Sequence, residues 1–247
     1  RTALIEQFWV GTVLEVTWTD EDGDRHFEQG DGPLIVRKPG ELALAIGKLG
    51  NTRFWLGSDT KRYWLFDLSG DEKIAYVGKQ AEAGRGRRRV LPLPIKPDQL
   101  ASLLDVTDWP AEADAEVTME GGRYRVTFAA DEALAGLRRR VWLDEQGRAH
   151  RIALLDAEGN KVVDAELLDH RRMETHGMSP GVWPYVPGRI EVDLPSNQTH
   201  LKLVMASPTD GRRKVRDAQF DFDRLVKALK VDRVENLDEA PEPDPEP

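Results

Sequence analysis

The run Asp20-Glu21-Asp22-Gly23-Asp24 is the first place where residue types and spacing could do chemistry, as oxygen ligands for calcium. An EF-hand loop puts its glycine sixth and a bidentate glutamate twelfth. Gly23 stands fourth, so the run reads as a hairpin turn. The histidines, His26, His150, His170, His176 and His200, are scattered, with no His-x-x-x-His pair and no Glu-x-x-His. That is not the spacing of metal ligands on one helix. Ser58 sits in Leu56-Gly57-Ser58-Asp59 rather than in a Gly-x-Ser-x-Gly elbow, and Gly84-Arg85-Gly86 has no helical pattern behind it to cradle a phosphate. His170 or His176 with nearby acids is the residual acid–base candidate, and it has the least support. The chain reads as a non-enzyme with no cofactor and no metal.

The more informative residues are apolar. Leu14, Val16 and Trp18 alternate with Val13, Glu15 and Thr17, and Leu42, Leu44 and Ile46 alternate with Ala43 and Ala45. A period of two marks strands with one packed face. Asp20 to Asp24 and Pro39-Gly40 supply the turns, and strands joined so briefly are antiparallel. Further strands are expected at Ala115–Met119, around Tyr124–Phe128, and at Arg139–Leu143, Ala149–Leu155, Lys161–Leu168, Arg189–Leu194 and His200–Met205. Three helices are expected. Leu4, Ile5, Phe8 and Trp9 share one face of a helix ending near Val10. Asp98–Leu104 follows Pro97, and a last helix after Asp221 carries Phe222, Leu225, Val226 and Leu229. The tally is roughly a dozen strands and three helices, a large antiparallel sheet with helices on one side. Trp55 and Trp64 alternate with Phe54 and Tyr63, so both faces of that stretch carry aromatics and need two covers, one of them a candidate ligand.

Composition sets bounds. The chain has 247 residues, no cysteine and a net charge of −9. Glu235, Asp238, Glu239, Glu242, Asp244 and Glu246 supply six of the negative charges, which leaves −3 for the body. A nucleic-acid partner is not expected on that balance. Residues 1–234 read as one domain whose first helix starts upstream of residue 1, and residues 235–247 as an acidic, proline-rich disordered tail. No apolar run approaches the roughly 20 residues that span a bilayer. Arg85, Arg87, Arg88 and Arg89 form the strongest charge cluster. It reads as a solvated loop, with a dock for an anionic membrane or an acidic partner as the alternative.

One order of motifs stands out: Glu28-Gln29-Gly30, then Leu34-Ile35-Val36-Arg37-Lys38-Pro39, then Arg53-Phe54-Trp55-Leu56-Gly57-Ser58-Asp59, then Tyr63-Trp64-Leu65-Phe66-Asp67. With the late Val186-Pro187-Gly188-Arg189-Ile190-Glu191-Val192, it resembles the LolA/LolB superfamily of periplasmic lipoprotein carriers. The resemblance implies a mainly β (α+β) fold, a curved antiparallel sheet forming a half-open barrel closed by a few short helices. It also implies that the concave apolar face binds acyl chains of lipoproteins or phospholipids. Leu14, Val16, Trp18, Leu34, Val36, Leu42, Leu44, Ile46, Phe54, Leu56, Trp64 and Phe66 are then the candidate lining, with the choice of face left to strand register. Arg37 and Lys38 are candidates for the latch that holds a helical lid. Leu49, in Gly47-Lys48-Leu49-Gly50, is a candidate membrane-contact residue. The expected location is the periplasm, free or anchored to the outer membrane through an N-terminal lipidated segment. The alternative is an envelope sensor of the same fold that binds a protein partner.

Overall fold

The computed structural model describes residues 5–19, 22–80, 97–105, 115–131, 134, 136–195, 198–212 and 214–238. The arginine cluster at 85–89, Trp109 and the tail beyond 238 lie outside the described residues. The first six strands form a meander: β1 (Gln7–Thr19), β2 (Arg25–Arg37), β3 (Glu41–Lys48), β4 (Asn51–Ser58), β5 (Arg62–Asp67) and β6 (Ile74–Lys79). Helix α1 (Pro97–Leu103) follows. The second half contains β7 (Ala115–Glu120), β8 (Arg123–Asp131), β9 (Leu137–Leu143), β10 (Ala149–Leu155), β11 (Lys161–Leu168), β12 (Arg171–Arg172), β13 (Tyr185–Val186), β14 (Arg189–Leu194) and β15 (Thr199–Thr209). Helix α2 (Phe222–Leu229) and β16 (Arg233–Asn236) complete it.

Fourteen strands make one open sheet in the order β16-β6-β5-β4-β3-β2-β1-β15-β14-β11-β10-β9-β8-β7. The two meanders meet where β1 pairs antiparallel with β15, Leu14 opposite Leu203. β12 and β13 pair separately. β2 and β3 approach closely at one point: a Cβ on Gly32 would lie 1.8 Å from the carbonyl oxygen of Ala45. Only glycine permits that contact. The concave face gathers one continuous core from Phe8, Val10, Leu34, Leu44, Leu154, Leu167, Ile190 and Leu203, and Leu100, Leu103 and Leu104 of α1 pack into it.

Two corrections concern the ends. Residues 7–10 are not helical. Phe8 and Val10 are buried in β1 and continue the alternation through Leu14 and Val16, while Trp9 goes to the opposite face beside Ile35 and Phe220. Helical spacing and strand alternation overlap over so short a segment, and pairing with β2 and β15 on either side decides it. At the other end Glu235 does not begin an unstructured tail. Arg233–Asn236 pairs parallel with β6, Leu237 is buried, and the Leu237 amide donates to the Val77 carbonyl at 2.8 Å.

The helices do not share one side either. α1 lies on the concave face, and α2 covers the convex face of β4 to β6. Asp221 caps α2 by accepting from the Arg224 amide at 3.1 Å, and Lys230 closes it in a left-handed conformation with φ 55°. Such caps are worth about 1 kcal/mol.

Candidate functional site

A cavity of about 450 Å³ opens in the concave face between the first five strands. Strand register builds it. Leu44 stands opposite Leu34 and Leu56, and Leu56 opposite Leu65, so these side chains share one face and converge where the sheet curls. Leu14, Val16 and Trp18 of β1, Leu44 and Ile46 of β3, and Phe54 and Leu56 of β4 line the cavity. Leu65 lines it too and had not been singled out. Its signal was its place opposite Leu56, which needs the β4–β5 register rather than residue type. The mouth is polar: Glu28, Gln29, Lys48, Arg53 and Ser69 stand there, and Trp18 stacks on His26 with ring centroids 5.1 Å apart.

A smaller cavity of about 250 Å³ lies under α1, bordered by Val36, Arg37, Lys38, Pro39, Gly40, Glu41, Leu42, Ser58, Pro97, Asp98 and Ala101. Val36 and Leu42 therefore face the same side as the larger cavity but beneath the helix, and Leu34 is sealed in the core between them.

No protein-family model and no curated protein matches this sequence. Solved structures do match in three dimensions. A LolA superfamily protein from Nitrosomonas europaea superposes with a TM-score of 0.58 at 10% identity, over 89% of this chain and 92% of that one. A DUF1329 family protein from Desulfovibrio piger gives 0.61 at 10% identity, over 91% and 93%. An outer membrane lipoprotein-sorting protein domain from Vibrio parahaemolyticus gives 0.56 at 10% identity, over 90% and 91%. The fold is LolA/LolB-like.

The LolA/LolB-like sheet corrects part of the expected lining. Trp64 and Phe66 do not face the cavity. Phe66 stands opposite Trp55 and Trp64 opposite Gly57, on the convex side, where both pack on Phe222 of α2 at centroid separations of 5.6 and 5.7 Å. The surplus aromatic surface of β4 and β5 is covered by the chain's own C-terminal helix. Gly57 makes room for this, since a Cβ there would lie 2.3 Å from Trp64 Nε1.

The latch expectation also divides. Arg37 borders the cavity beneath α1, but its guanidinium turns to the convex side. It bonds Glu41 at 2.5 and 3.1 Å and Asp217 at 2.7 Å, and it covers the Phe220 ring at 4.7 Å. The hydrogen bonds to Glu41, then those to Asp217, hold it even more firmly protonated than an ordinary arginine. Lys38, one residue on, borders the cavity beneath α1 together with Pro97 and Asp98.

Leu49 is the most exposed large apolar residue described, at 94%. It and Gly50 form the two-residue β3–β4 turn, with φ 54° and 82°. Two positive φ values mark a type I′ hairpin, which favours Asn-Gly. Leucine is costly there in both backbone strain and hydration. The turn projects beside Lys48, at the mouth of the cavity.

Proposed function

We propose that this protein is a carrier or acceptor of the acyl chains of lipoproteins or lipids in the bacterial cell envelope, working in the periplasm and not as an enzyme. The observation that carries the reading is the apolar cavity of about 450 Å³ in the curled sheet, open at the end where Leu49 projects. Burying an acyl chain is worth about 0.8 kcal/mol per methylene, so ten methylenes contribute roughly 8 kcal/mol before ordering costs. The lipoprotein-sorting neighbour supports the same reading at the level of fold. Leu49 is then the membrane-contact residue, and Lys38 is the surviving candidate for the hold on α1.

The test is native mass spectrometry of the purified protein, followed by solvent extraction and lipid analysis. Retained acyl species that disappear in Phe54→Glu, a partly exposed cavity-wall position, support the carrier reading. A folded Phe54→Glu protein that takes up lipid undiminished would sink it.

An open sheet edge supports the second reading, an envelope interaction module. Among the described residues no strand covers β7, and Val117, Met119 and Tyr124 at that edge are 60%, 67% and 55% exposed. Such edges accept a partner strand. A protein that stays lipid-free after incubation with lipids, yet is captured by an envelope protein, decides for this reading.

A further inference from the structure

The mouth of the cavity carries two cations. Several cations elsewhere in the chain are paired: Arg37 with Glu41 and Asp217, Arg148 with Asp144, Arg151 with Asp164, Lys202 with Glu15. Lys48 and Arg53, which line the mouth, have no carboxylate partner among the described residues. Arg53 donates from Nη1 to the Ser69 carbonyl at 3.1 Å, which fixes its stem and leaves most of its guanidinium donors available. The nearby Asp67 carboxylate accepts from the amide and hydroxyl of Ser69 at 3.0 and 2.6 Å. Glu28 also stands at the mouth. Lys48 and Arg53 therefore stand at the opening with two carboxylates near them, Glu28 and Asp67, and among the described residues neither cation is tied to one in an ion pair.

The interior is apolar: Leu14, Val16, Leu44, Ile46, Leu56 and Leu65 line it, so it takes acyl chain and leaves a polar headgroup at the mouth.

We propose that the cavity takes acyl chain with an anionic headgroup held at the mouth by Lys48 and Arg53. This rests on the carrier reading and narrows it to anionic amphiphiles, carrying either a fatty acid carboxylate or a phospholipid phosphodiester. Arg53 supplies the planar fork that either headgroup accepts in two-point fashion, and Lys48 supplies a mobile point charge.

The experiment compares three probes by native mass spectrometry and by displacement of a fluorescent fatty acid: palmitate, palmitoyl lysophosphatidylglycerol and neutral monopalmitoylglycerol. Retention of palmitate or the lysophospholipid, with the neutral lipid about tenfold weaker, supports the proposal. Retention of only one of the two anionic probes identifies the headgroup as carboxylate or phosphodiester. The surface variant Lys48→Ala/Arg53→Ala should lose about tenfold for both anionic probes and nothing for monopalmitoylglycerol. Unchanged anionic binding in that variant overturns the headgroup assignment and leaves the carrier reading standing. If none of the three binds, the carrier reading falls and this inference with it.

Discussion

Leu65 and Trp64 are neighbours in one strand, and they meet opposite fates. Leu65 faces the concave side and lines a cavity. Trp64 faces the convex side and is sealed under α2 with Phe66, Phe222 and Leu225. The two faces of β4 and β5 are similar in apolar content. What differs is the cover: the C-terminal helix supplies its own aromatic side chains to one face, and α1 covers only part of the other. An apolar surface becomes a candidate binding site only where the chain leaves it uncovered, so aromatic density alone is a poor guide to where a ligand goes.

Four changes would break or sharpen that comparison. The largest effect is expected from Trp64→Ala, which empties the packed convex side and should cost about 3–5 kcal/mol in urea unfolding while the folded fraction still takes up lipid. Trp64→Phe should recover most of that loss, because Nε1 of Trp64 is buried without an acceptor. Loss of lipid uptake in Trp64→Ala with stability intact would put Trp64 in the cavity instead. Next comes Gly57→Ala, whose new Cβ would press on the Trp64 indole. It should cost about 1–3 kcal/mol by overpacking, read as a shift in the urea midpoint.

A third change acts through charge on the convex face. Burial alone would raise the Asp164 carboxyl, but hydrogen bonds from Arg151 at 2.8 and 2.5 Å and from Lys161 at 2.6 Å outweigh it and hold it below the usual range. A carboxyl depressed in the folded state contributes stability above its unfolded pKa of about 4 and loses it as pH falls through the folded value. Asp164→Asn should therefore lower stability at neutral pH and flatten the acid limb of a stability–pH curve, without altering lipid uptake. An unchanged acid limb would show that the pair contributes nothing there.

The smallest effect on stability belongs to Leu49→Asn. Asparagine suits the positive φ of the turn, so the melting temperature should hold or rise slightly, by about 0.5 kcal/mol equivalent. Association with liposomes, measured by flotation, should fall. Equal flotation of the two proteins would remove Leu49 from the membrane-contact role.

Much of the fold was legible in the chain. Ala149–Leu155, Lys161–Leu168 and Arg189–Leu194 are strands with the bounds that alternation gives, and α2 lies where Phe222, Leu225 and Leu229 share a face. Leu14, Val16, Trp18, Leu44, Ile46, Phe54 and Leu56 stood among the expected lining together with Trp64 and Phe66, because each strand keeps its own period while only register says which periods share a face. The N-terminal strand was not, since Ile5, Phe8 and Trp9 satisfy a helical spacing as well as a strand when taken without Val10, Leu14 and Val16. The parallel strand at Arg233–Asn236 was hidden by acidic neighbours, for its stability comes from backbone pairing with β6 and from burial of Leu237.

Sequence by itself determined which residues alternate, where the turns fall and that apolar surface exceeds what a flat sheet can hide. Tertiary structure alone decided which side of β5 faces a cavity, that Arg37 serves the convex face, and that Lys48 and Arg53 meet at one opening. The physical reason is that alternation divides a strand into two faces without naming them. Only pairing register and the helices that settle on each face assign one side to packing and leave the other open.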